Sequence, residues 1–578
     1  MKFFNSVAGK RDVFCVLKPE MKLHCETDHR VRRYIKPERI VWKTSDASAG
    51  VENEGVLLES NRGQVTLTRG VNCILRNNGS SAGILLDFGV ELHGGVQILV
   101  ASLGEKPNFK LRVRFGESAM EAMSEIGLKG ATNDHAIRDQ IVDVSFLGMT
   151  ETGNTGFRFV RIDLLEEDSF IAIKSVRAVF LYKDIEYKGS FRCNDELLTR
   201  IWDTGAYTVH LNMQDYLWDG VKRDRLVWVG DMHPETSVIQ AVFGYDDVVP
   251  RSLDLIRDET GLPEWMNGIP TYSMWWIIIH YGWYMQNGDL AYLTEQKGYL
   301  LRLLEQLAGF IADNGCSITP EPRFTDWPSQ SDKKAVDAGI QALHIMAMEA
   351  GAYLCGVLNE TRAMEKSLVS AGRLRRFLPD HNGNKQAAAL MALAGLADAG
   401  LINTTVLSAD GVKRMSTFYG YYILKARAMA GDICGSLDCI RQYWGGMLAA
   451  GATTFWEDFN IEWLDNACRI DEIVTGGRKD IHGDYGDYCY KGYRHSLCHG
   501  WSAGPTAWLS EHILGIKVME PGCKTVKVKP ALGDLEWAEG AYPIPAGILR
   551  VRHEKQANGC VKSIVDAPSG ISILKETE

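Results

Sequence analysis

Between Asp219 and Asp231 the chain gathers three carboxylates (Asp219, Asp224 and Asp231) with Lys222, Arg223, Arg225 and Trp228, in thirteen residues without apolar periodicity. Such a segment predicts a loop, lying between a helix that ends near Leu211 and one that starts near Pro234. Crowded carboxyls repel one another, and repulsion can hold one of them protonated near neutral pH. Asp224, the central acid, is the candidate proton donor for breaking a sugar–oxygen bond. Asp219 and Asp231 would raise its proton affinity by like charge, or bind sugar hydroxyls. Arg223 opposes this by favouring the ionised form, unless Asp219 or Asp231 engages it. The plainer alternative is a salt-bridged loop in which Arg223 and Arg225 neutralise the acids.

A second acid stands beside a tryptophan at Trp456-Glu457, in the segment Thr453–Phe459. Glycoside hydrolysis needs two carboxyls on opposite faces of the sugar, one to protonate the leaving oxygen and one to activate water. Glu457 is the candidate for the second task, and a surface Glu-Asp pair is the alternative. Asp326-Trp327 again sets an acid beside an aromatic face. His495 and His499 are four residues apart, which suits a zinc pair. No further ligand lies at a useful spacing, and Gly500 and Pro505 mark a helix start. No metal and no cofactor is therefore expected, and His499 is expected to donate to a substrate hydroxyl.

The elements that must hold these residues fall into three regions. Residues 1–190 carry short alternating runs (Gln64–Thr68, Gly83–Phe88, Gly95–Val100, Lys110–Phe115, Phe157–Asp163) punctuated by turn residues, which predicts an N-terminal β-sandwich. Helical patterns dominate residues 191–515. Asn194 is the expected first N-cap, and helices follow over 272–286, 289–312, 335–358, 362–377, 385–399, 418–430 and 436–449. Their broad apolar faces suit two concentric helical layers. Residues 516–578 return to alternation at Thr525–Pro530 and Gly547–Arg552, a small C-terminal β-sandwich. The fold class is thus multidomain α plus β.

Composition narrows the function classes. A net charge of −10 leaves no basic footprint for nucleic acid. No run is expected to reach the length of a membrane span. The thirteen cysteines are odd in number and lack a CxxC pair, which argues for a reducing compartment. The N-terminus shows no apolar signal region, so a cytoplasmic location is expected, and a homodimer is compatible with the chain.

Taken together, these motifs resemble the bacterial α-L-rhamnosidases of glycoside hydrolase family 78. The family pattern Asp-x-x-x-Arg-Asp/Glu-Arg-Leu-x-Trp-x-Gly-Asp is matched at Asp219, Arg223, Asp224, Arg225, Leu226, Trp228, Gly230 and Asp231. The Trp456-Glu457, Asp326-Trp327 and His499-Gly-Trp501 elements match as well. The resemblance implies a central (α/α)6 barrel flanked by β-sandwich domains, and an inverting mechanism with Asp224 as general acid and Glu457 as general base. It implies that Asp219, Arg223, Trp228, Asp231 and His499 line a rhamnose pocket, and that the partner is a rhamnose-containing oligosaccharide or glycoside. Rhamnose carries a methyl where most hexoses carry a hydroxymethyl, so an apolar wall is expected, with Trp228, Trp276 and Trp283 as candidates and Trp327 and Trp456 near by. A catalytically degenerate carbohydrate-binding protein, and an (α/α)-barrel glycosidase or lyase for another sugar, are the alternatives. The segment 461–495 has no match in the family pattern.

Overall fold

The computed structural model describes residues 28–45, 49–67, 70–104 and 108–575. The N-terminal residues in which a leader was sought lie outside that range. Strands from Arg30–Ile35 to Ser169–Lys183 join into one nine-stranded antiparallel sheet. The runs 83–88 and 95–100 are parts of a single strand, Gly83–Leu103, whose register shifts twice against Met149–Leu164. Such bulges bend a strand and increase its twist. One sheet thereby encloses a core containing Leu86, Phe88, Ile98, Phe115, Phe157 and Ile162. The expected strand at 64–68 does not form over 64–67, and Thr68 lies outside the described residues. Leu67 is 88% exposed there, so the alternation has no buried face to serve.

Helices occupy Glu196 to Trp508. Asp195, not Asn194, caps the first, its side chain accepting from the Leu197 amide at 2.9 Å. Asn194 Oδ1 instead accepts from the Glu536 amide at 2.9 Å and ties in the C-terminal strands. The helix Pro270–Asn287 ends at Gly288 (φ +66), where a Cβ would also stand 2.9 Å from the Gly522 backbone. Asp289 then caps Leu290–Gly309. Among the described residues, Val229–Val242, Pro270–Asn287, Lys333–Val357, Lys385–Leu393, Gly420–Met429 and Gly504–Trp508 each touch the next, and the last touches the first. Five of these helices are followed in the chain by a partner helix, the second and third by Leu290–Gly309 and Thr361–Leu374. The helix Lys333–Val357 is long and apolar enough to cross a membrane (mean hydropathy 1.2), against expectation, yet 72% of that window is buried inside the protein. Its apolarity follows from neighbours on several sides.

The strand Ser190–Cys193 pairs with Trp537–Ile544, so the chain contributes to the C-terminal sheet before entering the helices. A four-stranded sheet and a three-stranded sheet make up the C-terminal β region. Cys73, Cys193, Cys355 and the other cysteines of the described residues are all free.

Candidate active site

The helix after the acidic loop begins at Val229, five residues before the expected start at Pro234, so Asp231 lies in its first turn. The reason is a cap from elsewhere in the chain: Asn267 Oδ1 accepts from the Val229 amide at 3.1 Å. Asp219 folds the loop before it. Its Oδ2 accepts from the Asp224 amide at 3.0 Å and its Oδ1 from the Leu226 amide at 2.9 Å. Each Asp219 oxygen thus holds a loop amide while the residue still lines the cavity.

Arg223 is engaged by neither Asp219 nor Asp231. Its Nη1 pairs with Asp224 Oδ1 at 2.9 Å, its Nη2 faces Glu457 Oε1 at 3.4 Å, and its Nε donates to the Arg494 carbonyl at 2.7 Å. Arg225 turns away, donating to the Asn154 carbonyl and lying over the Trp218 ring. The salt-bridged loop is therefore half realised: one arginine serves the acids, and the other anchors the loop to the N-terminal sheet. Glu457 Oε2 accepts from the Ser496 amide at 3.0 Å, and its backbone carbonyl accepts from the Trp501 indole at 2.9 Å.

His495 and His499 take separate partners. His495 Nε2 accepts from the Asp458 amide at 2.8 Å. His499 Nε2 lies 3.1 Å from Asp231 Oδ2, while its Nδ1 has no hydrogen-bond partner and stands 4.0 Å from Glu457 Oε1. Burial pulls the His499 imidazole down, but Glu457, Asp231 and Asp219 outweigh it and lift it to about 9. Burial pushes Asp219 up to about 7 against the pull of His499, with Asp231 and Asp224 adding to the rise. Burial likewise raises Asp231, and its bond to His499 opposes the rise.

These groups open onto a cavity of about 350 Å³, large enough for a sugar ring. Asp219, Arg223, Asp224, Trp228, Asp231, Trp327, Glu457 and His499 all line it. Sequence reasoning missed Ile269, Tyr272, Phe324, Tyr490 and Arg494, and named Trp501 only as part of a motif, without a place in the wall; all of them line the cavity. Tyr272 stands in the first turn of its helix, with its hydroxyl 3.4 Å from Asp231 Oδ1. Pro270 at the helix start was the available signal, because it places Tyr272 at the end that faces the loops. Tyr490 offers a buried hydroxyl with no partner, like His499 Nδ1. The cavity thus collects beside the N-terminal ends of Val229–Val242 and Pro270–Asn287.

Four expected site residues lie elsewhere. Trp276 sits deeper on Pro270–Asn287, fully buried, its indole donating to the Leu253 carbonyl. Trp283 packs on Tyr245 two turns further along. Trp456 is buried against Phe459. Asp326 supports the wall from behind, accepting from the Ser329 amide at 3.2 Å and the Ser416 hydroxyl at 2.9 Å, and burial lifts it to about 6.

A second polar cluster, Glu117, Glu121 and His482, has metal-like spacing. The Lys222 ammonium already fills it, 3.0 Å from Glu117 Oε2 and 3.2 Å from Glu121 Oε1. It ties the acidic loop to the N-terminal region.

Residues 186–381 match the model of the bacterial alpha-L-rhamnosidase 6 hairpin glycosidase domain. An alpha-L-rhamnosidase of Alteromonas sp. (strain LOR) is 24% identical over 546 residues, covering 85% of this chain and 55% of the relative. This chain therefore spans about half the length of that curated relative. Among solved structures, the family 78 rhamnosidase of Bacillus sp. GL1 aligns with a TM-score of 0.72 at 22% identity, over 88% of this chain and 55% of that one. A Klebsiella oxytoca rhamnosidase with rhamnose bound aligns with a TM-score of 0.64 at 19% identity, over 84% and 96%. The mixed multidomain α plus β fold is shared with them.

Proposed function

We propose that this chain is an inverting glycoside hydrolase releasing terminal α-L-rhamnose from rhamnosides, with Asp224 as general acid and Glu457 as general base. The observation that carries the reading is the shared guanidinium: Asp224 and Glu457 face one cavity and meet the same Arg223 side chain, at 2.9 and 3.4 Å. Two oxygens on one guanidinium at those distances are at most about 9 Å apart, a bound that admits the ~5–5.5 Å of a retaining pair as well as the ~6.5–9.5 Å of an inverting one, so the inverting assignment comes from the family resemblance. Asp224 gives its proton to the glycosidic oxygen as the C–O bond breaks. Glu457 takes a proton from the water whose oxygen bonds to the anomeric carbon from the opposite face. With Asp224 protonated, Arg223 stays paired with the Glu457 carboxylate.

The sugar fits the wall. Ile269, Phe324, Trp327 and Trp501 offer apolar surface for the methyl group, and His499 Nδ1 and the Tyr490 hydroxyl are unsatisfied partners for ring hydroxyls. The ring of touching helices supports an (α/α)6 barrel over 191–515, flanked by the N-terminal nine-stranded sheet and the C-terminal sheets. Hydrolysis of a panel of aryl L- and D-glycosides tests the proposal: release is expected from the α-L-rhamnoside, and lost in Asp224→Asn and Glu457→Gln. Preferred hydrolysis of another sugar, or full activity in either variant, would overturn it.

A further inference from the structure

The acidic loop is met by a segment of the N-terminal region that no motif pointed to. His135 Nε2 lies 3.3 Å from Asp224 Oδ1 and 3.9 Å from Asp134 Oδ2. Its backbone is left-handed (φ +62), a conformation non-glycine residues rarely hold unless the surroundings impose it. The surroundings do so here. Asn133 Oδ1 accepts from the amides of Arg138 and Asp139, both at 3.1 Å, and Asn133 Nδ2 donates to the Asp139 carbonyl at 3.0 Å, closing a loop with His135 at its tip. The buried Arg138 guanidinium anchors that loop on the carbonyls of Phe115, Glu121 and Ser124. On the other side Asp134 pairs with Arg494, which lines the cavity, and Lys129 pairs with Asp484. The loop is thus clamped both to its own sheet and to the 484–494 segment.

We propose that His135 is a positioning residue for the general acid. His135 Nε2 stands at ion-pair distance, 3.3 Å, from Oδ1, the same oxygen that Arg223 Nη1 holds at 2.9 Å. Among the described residues no side chain pairs with Oδ2, which is left to carry the proton to the leaving oxygen. Aspartate is one methylene shorter than glutamate and has fewer rotamers to search, so a second contact on Oδ1 fixes the acid's direction. The N-terminal region thereby completes the site rather than only flanking it. This inference rests on the proposed role of Asp224.

The test compares two α-L-rhamnosides, one with an alkyl leaving group that needs protonation and one with a dinitrophenyl group that leaves without it. His135→Ala is expected to lower kcat/KM about tenfold on the alkyl substrate, a fraction of the ~10²–10⁴ that general acid catalysis supplies, and to change the dinitrophenyl substrate less than twofold. His135→Gln, whose amide can donate to Oδ1, is expected to recover most of the loss. Equal losses on both substrates, or none on the alkyl one, would overturn the proposal while leaving Asp224 in place. Asp224→Ala serves as the reference: it must lose far more on the alkyl than on the dinitrophenyl substrate. If it does not, the acid assignment itself falls, and the role of His135 with it. His135 is partly exposed, and an unchanged thermal midpoint confirms that each variant folds.

Discussion

His499 should hold its proton well into the alkaline range, and the perturbation that exposes this is pH. Its imidazole stands at about 9 against an ordinary 6.5 because Glu457, Asp231 and Asp219 surround it. At 1.36 kcal/mol per unit, that rise corresponds to about 3 kcal/mol of preferential stabilisation of the protonated, folded form. The folded state binds this proton more tightly than the unfolded chain. The stabilisation is therefore fully present below about pH 6.5, declines as pH rises, and is gone above about 9. Two assays follow. In NMR the ring absent from the His499→Gln spectrum should titrate near 9. In urea unfolding, the stability difference between wild type and His499→Gln should shrink by about 3 kcal/mol between pH 6 and 10. A His499 ring that titrates at or below 6.5, or a pH-independent difference, would refute the electrostatic account.

Other expectations concern the scaffold and the wall. Lys222→Met strands the buried carboxylates Glu117 and Glu121, both at most 1% exposed, and should cost about 3–5 kcal/mol in unfolding experiments. Stability equal to wild type would contradict the pairing. Gly500→Ala would place a Cβ 1.6 Å from Glu235 Oε1 and should cost about 1–3 kcal/mol. Glu235→Ala in the same chain should relieve that strain, and simple addition of the two losses would show the clash is not the cause. Trp327→Ala removes an aromatic face from the cavity and should raise KM about tenfold, since such contacts contribute about 0.5–1.5 kcal/mol beyond area. Trp276→Phe should alter stability and leave KM alone. Kinetics and thermal unfolding of the two variants separate these cases.

The charged part of the site was legible because charge is conspicuous. A dense run at 219–231 without apolar periodicity predicted a loop, which holds up to Trp228 before the helix takes over at Val229, and its aspartates, Arg223 and Trp228 do reach one cavity with Glu457 and His499. What could not be read locally was who holds what. Asp219 serves its own loop's amides, Arg223 bridges the two proposed catalytic acids, and the helix at Val229 owes its start to Asn267, 38 residues on. Aromatic residues were the weakest guide. Trp276, Trp283 and Tyr272 share one helix that is apolar on every face, so periodicity does not distinguish the ring that meets the cavity from the two that fill helix interfaces. Depth from the helix start decides it. Strand alternation located five strands (within Gly83–Leu103, Asn108–Gly116, Met149–Leu164, Thr525–Val528 and Gly547–Lys555), passed over the long strand Ser169–Lys183, and split 83–88 from 95–100, although Gly89 and Gly94, both at positive φ beside the register shifts, were the available sign of one bent strand. His135 carried no signal at all, because a left-handed loop tip is set by the Asn133 and Arg138 anchors around it.

The central claim is that Asp224 and Glu457 act from opposite faces of a rhamnoside, and the configuration of the first product tests it most directly. Proton NMR during the first turnovers of an aryl α-L-rhamnoside, faster than mutarotation, should show β-L-rhamnose appearing before the α anomer. Initial release of α-L-rhamnose would mean retention, and would remove Glu457 from the role of water-activating base.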